Sequence, residues 1–107
     1  MVQCKGAIME HMKIRLMGQT LAVEVDPDEP DFGAWYSAAG KIKMNASLTP
    51  TQQGATLVHE ILEAVKSENE LRISHSALSV MANLIYAALR DNPELFARII
   101  AGEKVFG

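Results

Sequence analysis

The sequence predicts an α+β domain in which a small antiparallel sheet is followed by three helices. Its 107 residues leave room for one domain. The first half holds short β-branched or alternating runs separated by glycine-containing turns, whereas apolar residues in the second half recur at spacings of three and four. Strands that precede the helices are typical of helices packed on one face of a sheet.

Two hairpins account for the first half. Residues 12–17 and 20–25 predict the first pair of strands, and residues 34–37 and 41–45 predict the second. The alternating Lys and apolar residues of 41–45 indicate a half-buried strand. Between the hairpins, residues 26–31 hold two prolines and four acids and are predicted to form a solvated loop.

The first helix is predicted from a capping signal. Thr49 is the expected cap, Pro50 takes the first helical position, and Gln52 completes a capping box. The apolar stripe that follows predicts a helix to about Ser67.

Two further helices follow. Ser74 is the expected cap of the second, which ends near Asp91, and Asn92 is the cap of a third that stops at Gly102. The apolar stripes of the first two helices are expected to be buried: Leu57, Ile61, Leu62, Val65, Leu78, Met81, Ile85 and Leu89.

Composition excludes several classes of protein. No apolar run approaches the roughly 20 residues of a membrane helix, and a net charge of −3 argues against a general nucleic-acid-binding surface. The only cysteine, Cys4, cannot form an intrachain disulfide, so a cytoplasmic location is expected. Residues 1–11 do not resemble a signal peptide. They are predicted to be a loosely ordered extension, because the sequence that begins at Met12 looks like the natural beginning of a protein.

One segment carries the pattern of a metal site. His59 and Glu63 lie four residues apart on a predicted helix, so both side chains lie on one face, one turn apart. In zinc proteases, two ligands spaced in this way hold the ion, and the residue after the first ligand acts as the general base. Glu60 occupies that position in this H-E-x-x-E variant of the H-E-x-x-H motif.

His75 is the expected third ligand. It begins the next predicted helix, and a helical hairpin would return it beside His59. Two imidazoles and one carboxylate match the composition of a known catalytic zinc site, so one Zn²⁺ ion is expected. The alternative is a helix histidine beside solvated acids, with His75 a polar residue in a first helical turn.

The stretch from Gly33 to Leu95 resembles the small zincin-like proteins of phages and prophages. These are distant relatives of the ImmA/IrrE-like and SprT-like zinc peptidases. The matching segments are the strand 41–45, the helix start 48–50, the motif segment 56–65 and the closing segments 84–89 and 91–95.

The resemblance implies that residues 12–107 form a single zincin-like domain. It implies Glu60 as catalytic base, His59, Glu63 and His75 as zinc ligands, and a peptide or protein substrate along strand 41–45. Two departures bear on catalysis. Glu63 stands where peptidases carry a second histidine, and Ala82 stands where an acid is expected near the site.

Three functions follow from these observations. The first is a zinc-dependent metallopeptidase that hydrolyses peptide bonds through metal-activated water. The second is a non-catalytic metal-binding module with the same fold, used for regulation or interaction. The third is an interaction domain without a metal.

Overall fold

The fold is α+β, as the sequence predicts. The computed structural model describes residues 11–106, so residues 1–10, most of the expected extension, lie outside the described part. Two hairpins are followed by three helices, and each element begins and ends within one or two residues of its expected bounds. The elements are β1 (His11–Leu16), β2 (Gln19–Asp26), β3 (Gly33–Tyr36), β4 (Lys41–Asn45), α1 (Pro50–Glu68), α2 (His75–Asp91) and α3 (Pro93–Ile100).

The sheet is mixed and not wholly antiparallel. Its strand order is β1-β2-β4-β3. Both hairpins pair antiparallel, but β2 and β4 pair in parallel, with Val23 opposite Ile42. After β2 the chain reverses and forms β3 two positions away from β2 in the sheet. It then reverses again and forms β4 in the position between them. The hairpin signals therefore predict the strands correctly but not the way the two hairpins join.

The loop between β2 and β3 is anchored, contrary to its expected solvated character. Glu29 is buried, and its carboxylate accepts a hydrogen bond of 2.7 Å from the Tyr36 hydroxyl. The Asn45 side-chain amide donates to the Glu29 carbonyl oxygen, also at 2.7 Å. These bonds satisfy the buried acid and fix the path of the chain into β3.

The core lies between the sheet and α1. Ile42 is fully buried, with Val23, Met44 and Leu48 around it. Leu57 and Ile61 of α1 pack against this cluster. The expected capping box forms at the start of α1, where Gln52 N–H donates to Thr49 Oγ1 at 3.2 Å and Thr49 N–H donates to Gln52 Oε1 at 2.9 Å.

The apolar stripe of α2 is only partly buried. The prediction that the whole stripe is buried is therefore wrong for three of its residues. Leu78 and Ala82 are buried. In contrast, Met81, Ile85 and Leu89 remain 41%, 39% and 38% exposed. The reason is that α1 packs on the sheet and α2 packs on α1, so α2 needs only a narrow buried face. Within residues 11–106 no helix combines the length and apolar character needed to cross a membrane.

The two long helices approach closely at Gly54. A Cβ atom at this position would overlap the ring of Tyr86, with its Cζ atom at 3.0 Å. Glycine at position 54 therefore leaves room for the Tyr86 ring of α2 to lie against α1.

Substitution of Gly54 by alanine is expected to destabilise the protein by about 1–2 kcal/mol. Overpacking costs about 1–3 kcal/mol, and the better helix propensity of alanine returns up to about 1 kcal/mol. In a Tyr86→Ala background the same substitution should be neutral or stabilising, because the ring is gone. Urea unfolding of the four proteins checks this. An equal loss in both backgrounds would show that the Tyr86 contact is not the cause.

Candidate metal centre

Helix α1 presents His59, Glu60 and Glu63 on its side that faces strand β3. His59 Nε2 lies 3.7 Å from Glu63 Oε2 and 4.0 Å from Glu60 Oε2. The first distance follows from the four-residue spacing, which places both side chains one above the other on a helix. The predicted pair is therefore present.

Helix α2 brings His75 to the same point. Its Nδ1 atom lies 3.4 Å from Glu63 Oε2, and its ring centroid lies 5.3 Å from that of His59. One ligand atom from each of His59, Glu63 and His75 lies within 4.8 Å of the others, so the three residues could hold a metal ion. Tetrahedral zinc with ligands at about 2.0–2.1 Å needs ligand atoms roughly 3.3 Å apart. The carboxylate-to-imidazole distances are already close to this value.

The protonation of His59 suits metal binding. Burial lowers the pKa of His59, and the positive charge of a protonated His75 would lower it further, while Glu63 opposes the shift. A lowered pKa leaves the imidazole neutral near pH 7, with a free lone pair. A histidine must be in this form to bind a metal ion.

Glu60 is a buried carboxyl group that does not join the three ligands. Only 6% of the residue is exposed. Burial raises the pKa of Glu60 to about 7, and the charges of Glu63, Glu29 and Asp31 add to the shift. A carboxyl group with a pKa near neutrality can take up and release a proton at working pH, which is the property of a general base or acid.

Glu60 is also expected to affect the pH dependence of stability in the metal-free protein. The unfolded state loses the Glu60 proton near pH 4.5, whereas the folded state keeps it until about pH 7. The folded state therefore binds more protons between these values, and this contribution to stability falls as pH rises. His59 acts in the opposite direction, because its lowered pKa favours folding as pH rises toward 6.5.

Comparison with Glu60→Gln isolates the Glu60 contribution. From about pH 5 to about pH 8, the variant should gain unfolding free energy relative to wild type. Urea unfolding in the presence of a chelator measures the difference, and Glu68→Gln, an exposed acid on the same helix, is the control. A difference that stays constant with pH would contradict the assignment.

A groove of about 1020 Å³ runs past these residues, between β3 and the two long helices. Its strand side holds Phe32, Ala34 and Trp35, and its helix side holds the three candidate ligands and Glu60. Gly33 allows this arrangement, since a Cβ there would lie 2.7 Å from Thr56 Cγ2 of α1 and 3.2 Å from Glu60 Cγ. The absence of a side chain lets β3 lie directly against the helix that carries the site.

The strand that lines the groove is β3 and not β4, the strand along which an extended substrate was expected. Strand β4 (residues 41–45) lies between β2 and β3, so both of its edges are already paired. Strand β3 is at the edge of the sheet. Asn45 N–H donates to the Phe32 carbonyl oxygen at 2.8 Å, so by antiparallel alternation the backbone groups of Gly33 and Trp35 point toward the open edge.

Several residues that line the groove were not predicted from the sequence. Ser79 and Asn83 line the groove because they lie four and eight residues after His75, a spacing that could have revealed them. Asp31 also lines it, although residues 26–31 were expected to be a solvated loop. Tyr36 and Tyr86 do not line this groove, since Tyr36 bonds to Glu29 and Tyr86 packs on Gly54.

The two histidines, His59 and His75, have few neighbours that would fix the orientation of their rings. His75 has a side chain that is 72% exposed. Among residues 12–106, no group accepts a hydrogen bond from either His59 or His75. Ala82 is buried and is absent from the groove lining. Metal-binding histidines ordinarily donate their second nitrogen to an acceptor that fixes the ring, so these imidazoles are less tightly oriented than those of most zinc enzymes.

Comparison of the chain with protein-family models, with curated proteins and with solved structures gives no significant match. The assignment of the site therefore relies on the geometry of His59, Glu60, Glu63 and His75.

Proposed function

We propose that this chain is a zinc-dependent metallopeptidase-like protein of the phage and prophage zincin type, acting on peptide bonds. The observation that carries the proposal is the convergence of His59, Glu63 and His75 beside the buried Glu60 carboxyl group. Four residues from two helices thereby provide the ligands and the base that metal-assisted hydrolysis requires.

The donor set suits zinc. Imidazole nitrogens and a carboxylate oxygen are common zinc ligands, and three protein ligands are typical of a catalytic site. Held by His59, Glu63 and His75, zinc would supply Lewis-acid chemistry, which lowers the pKa of water and polarises a carbonyl group. Calcium and magnesium would instead be expected in a site made of oxygen ligands alone.

The chain's own residues would supply the remaining functions. Glu60 would accept a proton at a carboxylate oxygen and later donate it to the leaving amine. The open edge of β3 would hold an extended peptide, because the backbone N–H and C=O groups of Gly33 and Trp35 face it. Phe32 and Trp35 would contact the side chains of that peptide.

Metal removal tests this proposal. Zinc-loaded protein is incubated with a mixture of unstructured peptides, and cleavage products are identified by mass spectrometry. Products should disappear after treatment with a chelator and return when zinc is restored. Cleavage that persists without metal would contradict the proposal.

A non-catalytic metal-binding module is the second candidate. Among residues 12–106, no group accepts a hydrogen bond from His59 or His75, and this favours the second candidate, because the loss of such partners costs about 10–100-fold in metal affinity or activity. This candidate predicts stoichiometric zinc binding with no cleavage product from any peptide in the mixture. The same experiment therefore separates the two functions.

A further inference from the structure

Lys66 is a half-buried cation without a counter-ion in the described part of the chain. The half-buried lysine and arginine residues between positions 12 and 106 are Lys41, Lys43 and Lys66. The first two form ion pairs of 3.1 Å and 3.4 Å with acids of β2. Lys66 forms neither an ion pair nor a side-chain hydrogen bond with any of these residues. Because buried charges in proteins are ordinarily paired, this ammonium group is available to a ligand.

The end of helix α1 does not account for Lys66. A lysine in a last helical turn often serves the carbonyl groups that the helix leaves unpaired. Here the Val65 carbonyl oxygen accepts hydrogen bonds from the backbone and the side chain of Asn69, at 3.1 Å and 2.9 Å. The Leu71 N–H donates to the Lys66 carbonyl oxygen at 3.0 Å. Other groups of the chain therefore close this end of the helix.

Lys66 lines the groove beside the candidate metal centre, and it is the one lysine or arginine that does so among the residues described. It lies three residues after Glu63, so the two side chains are neighbours on one face of α1. The Glu63 carboxylate lies within 3.7 Å of the nitrogens of both candidate histidines. Its charge is therefore directed at the metal centre and not at Lys66.

Two other acids line the groove, Asp31 and Glu70. Within the range 12–106 neither carboxylate forms an ion pair with Lys66. Both acids are exposed, so water and salt screen their charges. The half-buried ammonium group is screened less, and it is expected to attract an anionic ligand more strongly than the two acids repel it.

Helical geometry places Lys66 close to the bond that would be cleaved. The groove follows α1 from Gln52 to Ser67, so an extended peptide in it runs along this helix. The metal centre lies between His59 and Glu63, and Lys66 comes about five residues after the middle of that stretch, roughly 7.5 Å along the axis. An extended peptide advances about 3.3 Å per residue, so this distance corresponds to about two substrate residues.

We propose that Lys66 binds a carboxylate group of the peptide substrate, about two residues from the bond that is cleaved. The carboxylate belongs either to an aspartate or glutamate side chain or to a free C-terminus. The ammonium group would donate charge-assisted hydrogen bonds to its oxygens. This assignment rests on the proposed function, because it concerns the same groove, and it makes acidic peptides the substrate class.

Peptide binding to the zinc-loaded full chain tests the proposal without requiring cleavage. The probes are amidated octapeptides of alanine and serine in which one glutamate, or one glutamine, occupies each position in turn. Trp35 lines the groove and is the only tryptophan of the chain, so its fluorescence reports binding. At one position the glutamate peptide should bind about 10-fold more tightly than its glutamine counterpart, as expected for a hydrogen bond between charged groups.

Three variants separate Lys66 from other causes of this preference. Lys66→Met should abolish it, because methionine has no charge, whereas Lys66→Arg should retain it. Lys13→Met removes the same charge from β1, at the opposite edge of the sheet from β3, and should bind the peptides as the wild type does. Lys66→Gln replaces Lys66→Met if circular dichroism shows that the latter is not folded.

An uncharged octapeptide with a free C-terminus distinguishes the two sources of the carboxylate. If the terminus is the ligand, this peptide should bind about 10-fold more tightly than its amide, and Lys66→Met should remove the difference. The position of a single glutamate should then have no effect. If a side chain is the ligand, the free and amidated peptides should bind equally.

The role of Lys66 and the proposed function can fail separately. A carboxylate preference that persists in Lys66→Met would assign the carboxylate to the zinc ion and overturn the role of Lys66, as would equal binding of all the peptides. Mass spectrometry of the same mixtures detects cleavage. Cleavage without a carboxylate preference would contradict only the role of Lys66, and a preference that depends on Lys66 without cleavage would contradict only the peptidase.

Discussion

Replacement of Glu60 by glutamine is expected to lower peptide hydrolysis by about 10²–10⁴-fold, the usual contribution of general acid–base catalysis. Glutamine keeps the shape of the side chain but cannot accept a proton. The structure places Glu60 Oε2 4.0 Å from His59 Nε2, outside the group of three ligand atoms. Zinc content should therefore remain near that of the wild type. Single-turnover kinetics together with metal analysis of the same samples provides the measurement.

The matched control is Glu63→Gln on the same helix. Glu63 Oε2 lies within 3.7 Å of both candidate imidazole nitrogens, so its replacement removes a ligand charge. Zinc content should fall first, and activity should fall as a consequence. If Glu60→Gln retains full peptidase activity, the catalytic assignment is wrong and the metal-binding module is the better account.

Zinc is expected to raise the melting temperature of the wild type by roughly 10–20 °C when present at about 100 times its dissociation constant. Binding to the folded state alone contributes about 2.7 kcal/mol at that concentration. Each 1 kcal/mol shifts the melting temperature of a domain of this size by about 4–8 °C. The effect arises because the ligands come from two helices, α1 and α2, which the ion would join. Differential scanning calorimetry with and without zinc measures the shift.

Histidine variants provide the control for this stabilisation. His59→Ala and His75→Ala should each abolish most of the shift, because either removes one of three ligands. His11→Ala, which changes the one remaining histidine of the chain, should keep the full shift in melting temperature. An equal shift in all four proteins would place the zinc ion elsewhere.

Local sequence signals predicted the elements of this fold well. The capping box at Thr49 and the alternation of residues 41–45 involve neighbours in the chain, and both appear as expected. The parallel pairing of β2 with β4 depends on how two separate hairpins meet. No local pattern encodes that choice, so the sheet was predicted as antiparallel.

The same division between local and long-range contacts applies to the candidate site. Helical spacing alone brings His59 and Glu63 together, whereas the approach of His75 depends on how α2 packs against α1. Burial was harder to predict, because an apolar stripe such as that of Ile85 looks the same whether a second element covers it or not. The buried Glu29 was missed because its partners, Tyr36 and Asn45, are distant in sequence.

X-ray absorption at the zinc edge tests the central claim most directly. Protein loaded with one zinc ion per chain should show two imidazole nitrogens and a carboxylate oxygen at about 2.0–2.2 Å, with no sulfur. The His75→Ala variant should show one imidazole fewer. A sulfur ligand at about 2.3 Å, which would have to come from Cys4 or a methionine, would contradict the site formed by His59, Glu63 and His75. An imidazole count that does not change in His75→Ala would contradict it equally.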